Sequence, residues 1–135
     1  MEQHATVELV PGMHAPRRAR AFTGETLAGW DVRPPDVEAV QLVVSELVTN
    51  ALRHAPDSPA VTLQLVLMGD CIRVLVSDCG AGEPERNQLD PGSGAVSGRG
   101  LWIVDAITER WGTARDERGG KTVWGELRTG SMSKF

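Results

Sequence analysis

The sequence predicts an α+β fold, a two-layer sandwich in which about three helices cover one face of a mostly antiparallel mixed sheet. Three observations predict it. Apolar residues recur at helical spacing over one long stretch, 36–54, and over two shorter ones. Period-two alternation marks further segments that fall into hairpin pairs. Their order is strand, helix, long helix, hairpin, loop, helix, hairpin, which builds one helical layer on one sheet. With 135 residues and neither an internal repeat nor a boundary signal, residues 1–135 read as a single domain.

Thr6 to Val10 alternates weakly, as an edge strand does, and Pro11-Gly12 ends it. Ala15, Ala19, Phe22 and Leu27 then share a helical face. Arg17, Arg18 and Arg20 lie on its polar side, as a solvated face or a partner surface, and Gly29 and Pro34-Pro35 close the unit. Asp36 is expected to cap a long helix to His54, ended by Pro56 and Asp57-Ser58-Pro59. Val61 to Leu67 is a strand with Val61, Leu63, Leu65 and Leu67 on one face, and Gly69-Asp70 turns it into Ile72–Asp78. Parity sets Asp78 on the side of Ile72, Val74 and Val76, where a carboxylate needs a partner.

Residues 79–100 hold six glycines (80, 82, 92, 94, 98, 100) and two prolines, a length that marks a functional lid or disorder. Leu101, Ile103, Val104 and Ile107 resume helical spacing to about Arg110. Trp111–Arg115 and Thr122–Leu127 form a last hairpin around Glu117-Arg118-Gly119-Gly120, and residues 129–135 read as a frayed tail. Trp102 and Trp111 are expected in the core, Lys121 in solvent, and His54 in packing or at the helix end.

A net charge of −4 argues against nucleic acid or an anionic membrane as the main partner. The start, Met1-Glu2-Gln3-His4-Ala5-Thr6, lacks a signal-peptide pattern, and no apolar run approaches the ~18 residues of a membrane span, so the expected location is cytoplasmic. Cys71 and Cys79 make no disulfide framework or metal pattern and read as ordinary small apolar residues.

The chemistry concentrates in Ser45-Glu46-Leu47-Val48-Thr49-Asn50-Ala51-Leu52-Arg53-His54-Ala55-Pro56. On a helix Glu46 and Asn50 share one face, away from the stripe of Val40, Val44, Leu47, Val48, Ala51 and Ala55. A carboxylate and a carboxamide one turn apart suit a site that holds a metal ion beside a reacting oxygen. Gly98-Arg99-Gly100 opens the helix at Leu101, so free backbone N–H groups face an anion there. No Walker motif and no protein-kinase signature is present.

In this order, Glu46-Leu-Val-Thr-Asn50-Ala-Leu-Arg-His54, Asp78-Cys-Gly80-Ala-Gly82 and Gly98-Arg99-Gly100-Leu101 resemble the N, G1 and G2 boxes of the GHKL (Bergerat-fold) ATP-binding superfamily. The resemblance covers about residues 5–128. It implies ATP/ADP with Mg²⁺ as ligands, Asn50 as the metal ligand, and Asp78 as acceptor for the adenine amino group. Gly80 and Gly82 would lie by the base, Gly98, Arg99, Gly100 and Leu101 by the phosphates, and 83–97 would be the lid. Thr122 matches the position that supports the Asp–adenine contact. Arg53 would touch phosphate or pair with Glu46, and Arg86 and Arg99 are the candidates for the γ-phosphate.

Among the branches, Glu46, the length of the chain and the Lys121-Thr122-Val123-Trp124 ending look most like the anti-sigma-factor serine/threonine kinases. That branch implies Glu46 as general base, a sigma factor and an anti-anti-sigma antagonist as partners, and a homodimer in some members. The alternative is a nucleotide-gated interaction module with little or no phosphoryl transfer.

Overall fold

The computed structural model describes residues 2–79, 100–115, 117 and 119–130. These contain β1 (Glu2–Leu9), α1 (Ala15–Gly29), α2 (Pro34–His54), β2 (Val61–Met68), β3 (Cys71–Asp78), α3 (Gly100–Ile107), β4 (Arg110–Arg115) and β5 (Lys121–Arg128). The strands form one sheet in the order β1-β2-β3-β5-β4. Every described pairing is antiparallel, so the α+β sandwich is present and its sheet is of one kind.

Residues opposed across antiparallel strands share a face, so the register alone assigns the two sides. One side carries the rows Ala5, Leu65, Val74, Gly125, Trp111 and Val7, Leu63, Val76, Val123, Thr113. The helix α2 closes over it with Val40, Val43, Val44, Leu47, Val48 and Ala51, all buried. Each fully buried side chain of this kind contributes ~1.5–3 kcal/mol, which makes this contact the main stabilising surface. At Gly125 the layers come close: a Cβ there would stand 3.0 Å from Thr108 Cγ2 and 3.7 Å from Val43 Cγ1.

The opposite face is polar and held by a charge bridge. Arg73, Glu126 and Arg110 stand in one row, and Glu126 accepts from Arg73 Nε at 2.7 Å and from Arg110 Nε at 2.9 Å. Burial alone would raise the Glu126 carboxyl, but hydrogen bonds from Arg110 and Arg73 outweigh it and hold the group below its ordinary value. Trp124 lies over Gly112, where a Cβ would meet the indole at 3.0 Å.

Several element ends differ from expectation. The left-handed residue that closes α1 is Asp31 (φ 62), not Gly29. Val32 N reaches Leu27 O at 2.9 Å and Asp31 N reaches Ala28 O at 3.1 Å, a Schellman closure that aspartate tolerates. Asp36 does not cap α2, which begins two residues earlier behind Arg33. It is buried in the first turn and accepts from Gly130 N at 3.0 Å. Thr129 and Gly130 are therefore anchored rather than frayed, and Thr129 N also donates to Asp70 O at 2.6 Å.

The helix α3 stops at Ile107 because Glu109 N already donates to Glu126 O at 2.8 Å, joining the chain to the sheet edge. Trp111 is buried and donates Nε1–H to Asp105 at 2.8 Å, whereas Trp102 is 75% exposed and not in the core. Neither cysteine is buried: Cys71 is half-buried and Cys79 exposed. Among the described residues no helix is long and apolar enough to cross a membrane.

Two expectations follow. Gly125→Val should destabilise the protein by about 1–3 kcal/mol in urea unfolding, because its branches have no room under Thr108 and Val43. Glu126→Gln should lower stability at pH 7 by about 1 kcal/mol, modest because both arginine partners reach solvent. A carboxyl held low in the folded state stabilises above its unfolded value and loses that contribution as pH falls through the folded value. Unfolding curves of the two proteins should therefore converge on acidification below about pH 4.

Candidate functional site

Three chain segments meet at one end of the sheet. The last row on the helix-facing side is Leu9, Val61, Asp78, Lys121 and Arg115. The link from α2 to β2 is only residues 55–60, so the last turn of α2 stands at this same end. Ser58 fixes the junction: its Oγ accepts from Cys79 N at 2.9 Å and donates to Ala60 O at 2.7 Å. The residue after Asp78 is thereby tied to the loop that follows α2. The helix α3 packs beside α2.

On α2, Glu46 is half-buried and Asn50 is buried one turn further on, at 4% exposure. The Asn50 Nδ2 atom has no hydrogen-bond partner among the described residues. Buried polar atoms are nearly always paired, so this orphan marks a place where a ligand group belongs. A half-turn of the amide puts its oxygen there instead, which is the atom a cation needs. Ser45 Oγ, on another side of the helix, likewise has no partner among the described residues. Arg53 is exposed at the end of α2.

Asp78 is 7% exposed on the helix-facing side, where its parity places it. Thr122 is not its neighbour. It stands opposite Ser77 on the other side of the sheet, and the two hydroxyls share a 2.7 Å hydrogen bond. The residue opposite Asp78 is Lys121, only 5% exposed. The expectation of a solvated lysine is thus overturned, and the residue in register with Asp78 on its own side of the sheet is Lys121 rather than Thr122. Burial lowers the Lys121 ammonium and the Asp78 carboxylate partly offsets this.

Leu101 is 1% exposed in the core, and Gly100 is the first residue of α3. Gly80, Gly82, Gly98, Arg99, Arg86 and the 83–97 lid lie outside the described residues. Among the described residues no three His, Cys, Asp or Glu side chains gather as a metal cage. A Mg²⁺ held by Asn50 would take its other oxygens from phosphate and water, as this ion does in nucleotide sites. The donor set fits a magnesium nucleotide.

The orphaned amide has a stability consequence. Asn50→Leu should raise the unfolding free energy of the ligand-free protein by about 1 kcal/mol, since an unmet buried donor is replaced by apolar surface. A thermal or urea melt checks it.

Known proteins share this fold. The family described as "Histidine kinase-like ATPase domain" matches residues 13–125. The sensor protein IrlS of Burkholderia pseudomallei is 29% identical over 124 residues, taking in 83% of this chain and 27% of its own length, so the chain spans about a quarter of that relative. Among solved structures, the RsbU and RsbW domains of Rv1364c from Mycobacterium tuberculosis superpose with a TM-score of 0.71 at 22% identity, over 94% of this chain and 32% of that one. A chain of the SiaB–SiaC complex from Pseudomonas aeruginosa gives 0.69 at 13% identity, over 91% of this chain and 88% of its own. These two likenesses speak for the fold. With the family description spanning most of its length and the fold shared with both structures, the chain belongs to the histidine kinase-like ATPase domain family.

Proposed function

We propose that the chain is an ATP-dependent serine/threonine protein kinase of the anti-sigma type, acting on a small antagonist protein and holding a sigma factor. The observation that carries it is the pairing on α2 of half-buried Glu46 with the orphaned amide of buried Asn50, at the sheet end where Asp78 faces inward. Likeness in fold to an RsbW domain and to a chain of the SiaB–SiaC complex supports a protein partner.

Bound MgATP supplies the transferable phosphoryl group and neutralises its developing charge. The chain's own residues position and deprotonate. Asp78, acceptor-only when ionised, takes a hydrogen bond from the adenine amino group and sets the base in register. Asn50 holds the cation through its amide oxygen. Glu46, one turn earlier on the same helix face, accepts the proton of the partner's serine or threonine hydroxyl as the oxygen attacks. Phosphoryl transfer asks for little beyond this, because positioning and charge neutralisation supply most of the catalysis.

Calorimetric titration with ATP, with and without Mg²⁺, tests the site. The wild type should bind in a Mg²⁺-dependent way, and Asn50→Leu and Asp78→Asn should lose that binding. Absence of heat in the wild type would sink the reading. Glu46→Gln separates catalysis from binding. It should cut transfer of label from γ-labelled ATP to the antagonist protein by about 10²- to 10⁴-fold, the usual share of a general base, with nucleotide affinity little changed.

A further inference from the structure

Lys121 is the buried cation for which the nucleotide reading so far has no task. It opens β5 directly opposite Asp78, on the side of the sheet that faces the helices, and 95% of it is out of solvent contact. Its side chain makes no hydrogen bond or ion pair with the described residues, so its interaction with Asp78 acts over a longer distance. Arg115, next in the same row, adds a second positive charge rather than a partner. Leaving an ammonium group in such a position without an acceptor is costly. Lysine tolerates it where the four-carbon stem packs and the head reaches a polar ligand.

We propose that Lys121 is a specificity-determining residue that donates to the ring nitrogen N1 of the adenine whose amino group Asp78 accepts. The inference rests on the nucleotide reading above. Directly opposed cross-strand residues carry their Cβ atoms about 4.5–5.5 Å apart, so both polar heads reach one edge of one base. The Watson–Crick edge of adenine offers a donor, the amino group, beside an acceptor, N1. An acceptor-only carboxylate next to a donor-only ammonium is its complement. Guanine and hypoxanthine present the reverse, O6 against the carboxylate and N1–H against the ammonium, and both contacts repel. One pair of opposed residues therefore reads the base and rejects the oxo-purines, a contrast that a hydroxyl group, donor and acceptor at once, does not provide. Thr122, on the other face, takes no part.

The test is a binding cycle by calorimetry with ADP and 1-deaza-ADP, in which N1 is replaced by C–H, on the wild type and Lys121→Met. Methionine keeps an unbranched apolar stem, and Lys121→Thr serves as a second variant should the first fail to fold. The wild type should favour ADP by about 10-fold or more, the value of one hydrogen bond to a charged group. The variant should bind both nucleotides alike at the weaker level. A variant that keeps the wild-type preference, or binds ADP as tightly as the wild type, overturns the proposal while nucleotide binding stands. A wild type that binds neither nucleotide overturns the nucleotide reading and this proposal with it. A purely structural Lys121 would weaken both ligands equally and leave the ratio unchanged, which also overturns it.

Discussion

The antiparallel register of β3 against β5 is the constraint on which the rest of the molecule depends. The strand β3 is the centre of the sheet and packs beneath α2, and its pairing with β5 runs from Cys71 opposite Arg128 to Asp78 opposite Lys121. A slip of one residue in β5 would exchange the faces of that strand against β3. Val123 and Leu127 would turn away from the helices, and Glu126 would be driven towards α2 and parted from Arg73. The apolar rows and the charge bridge reject that slip from opposite sides. The same register decides what stands at the end proposed to hold the nucleotide, because Asp78 and Lys121 are its last pair.

The helix α2 connects the two ends of the sheet. Its first turn holds Asp36, which fastens the chain leaving β5, and its last turns carry Glu46 and Asn50. Between them lies an almost uninterrupted buried surface from Val40 to Val48. A helix seated so firmly is a rigid base for polar groups that must be held in place while unsatisfied. That rigidity is the condition for leaving an amide atom unpaired in the interior: the strong apolar contact offsets the unfavourable group, and the group stays available for a ligand.

Much of this was legible in the residues. Strict alternation in Val61–Leu67 and Ile72–Asp78 put Asp78 on the apolar side, and the structure has it there. Helical spacing placed Glu46 and Asn50 one turn apart on α2. What escaped was decided by tertiary contact. The parity of β5 depends on where the preceding turn ends, and one residue there exchanges Thr122 for Lys121 as the partner of Asp78. Composition made it harder, since lysine is nearly always solvated. Asp36 looked like a cap because its true partner, Gly130, is 94 residues away. Trp102 looked like core because aromatic residues usually are, yet its position on α3 leaves it largely in solvent.

The anchoring of Gly130 gives the molecule a direction. Gly130 is fastened at the start of α2, and Glu2 pairs with Met68 in the sheet row farthest from Asp78. Both ways out of the described fold therefore leave from one pole, while Glu46, Asn50, Asp78 and Lys121 gather towards the other. The eight residues from Cys71 to Asp78 separate the poles by roughly 20–25 Å, at about 3.3 Å per step. Whatever is joined to either end, a tag, a surface or a neighbouring domain, pulls on the base of the molecule and leaves the pole of Asp78 and Lys121 facing outward.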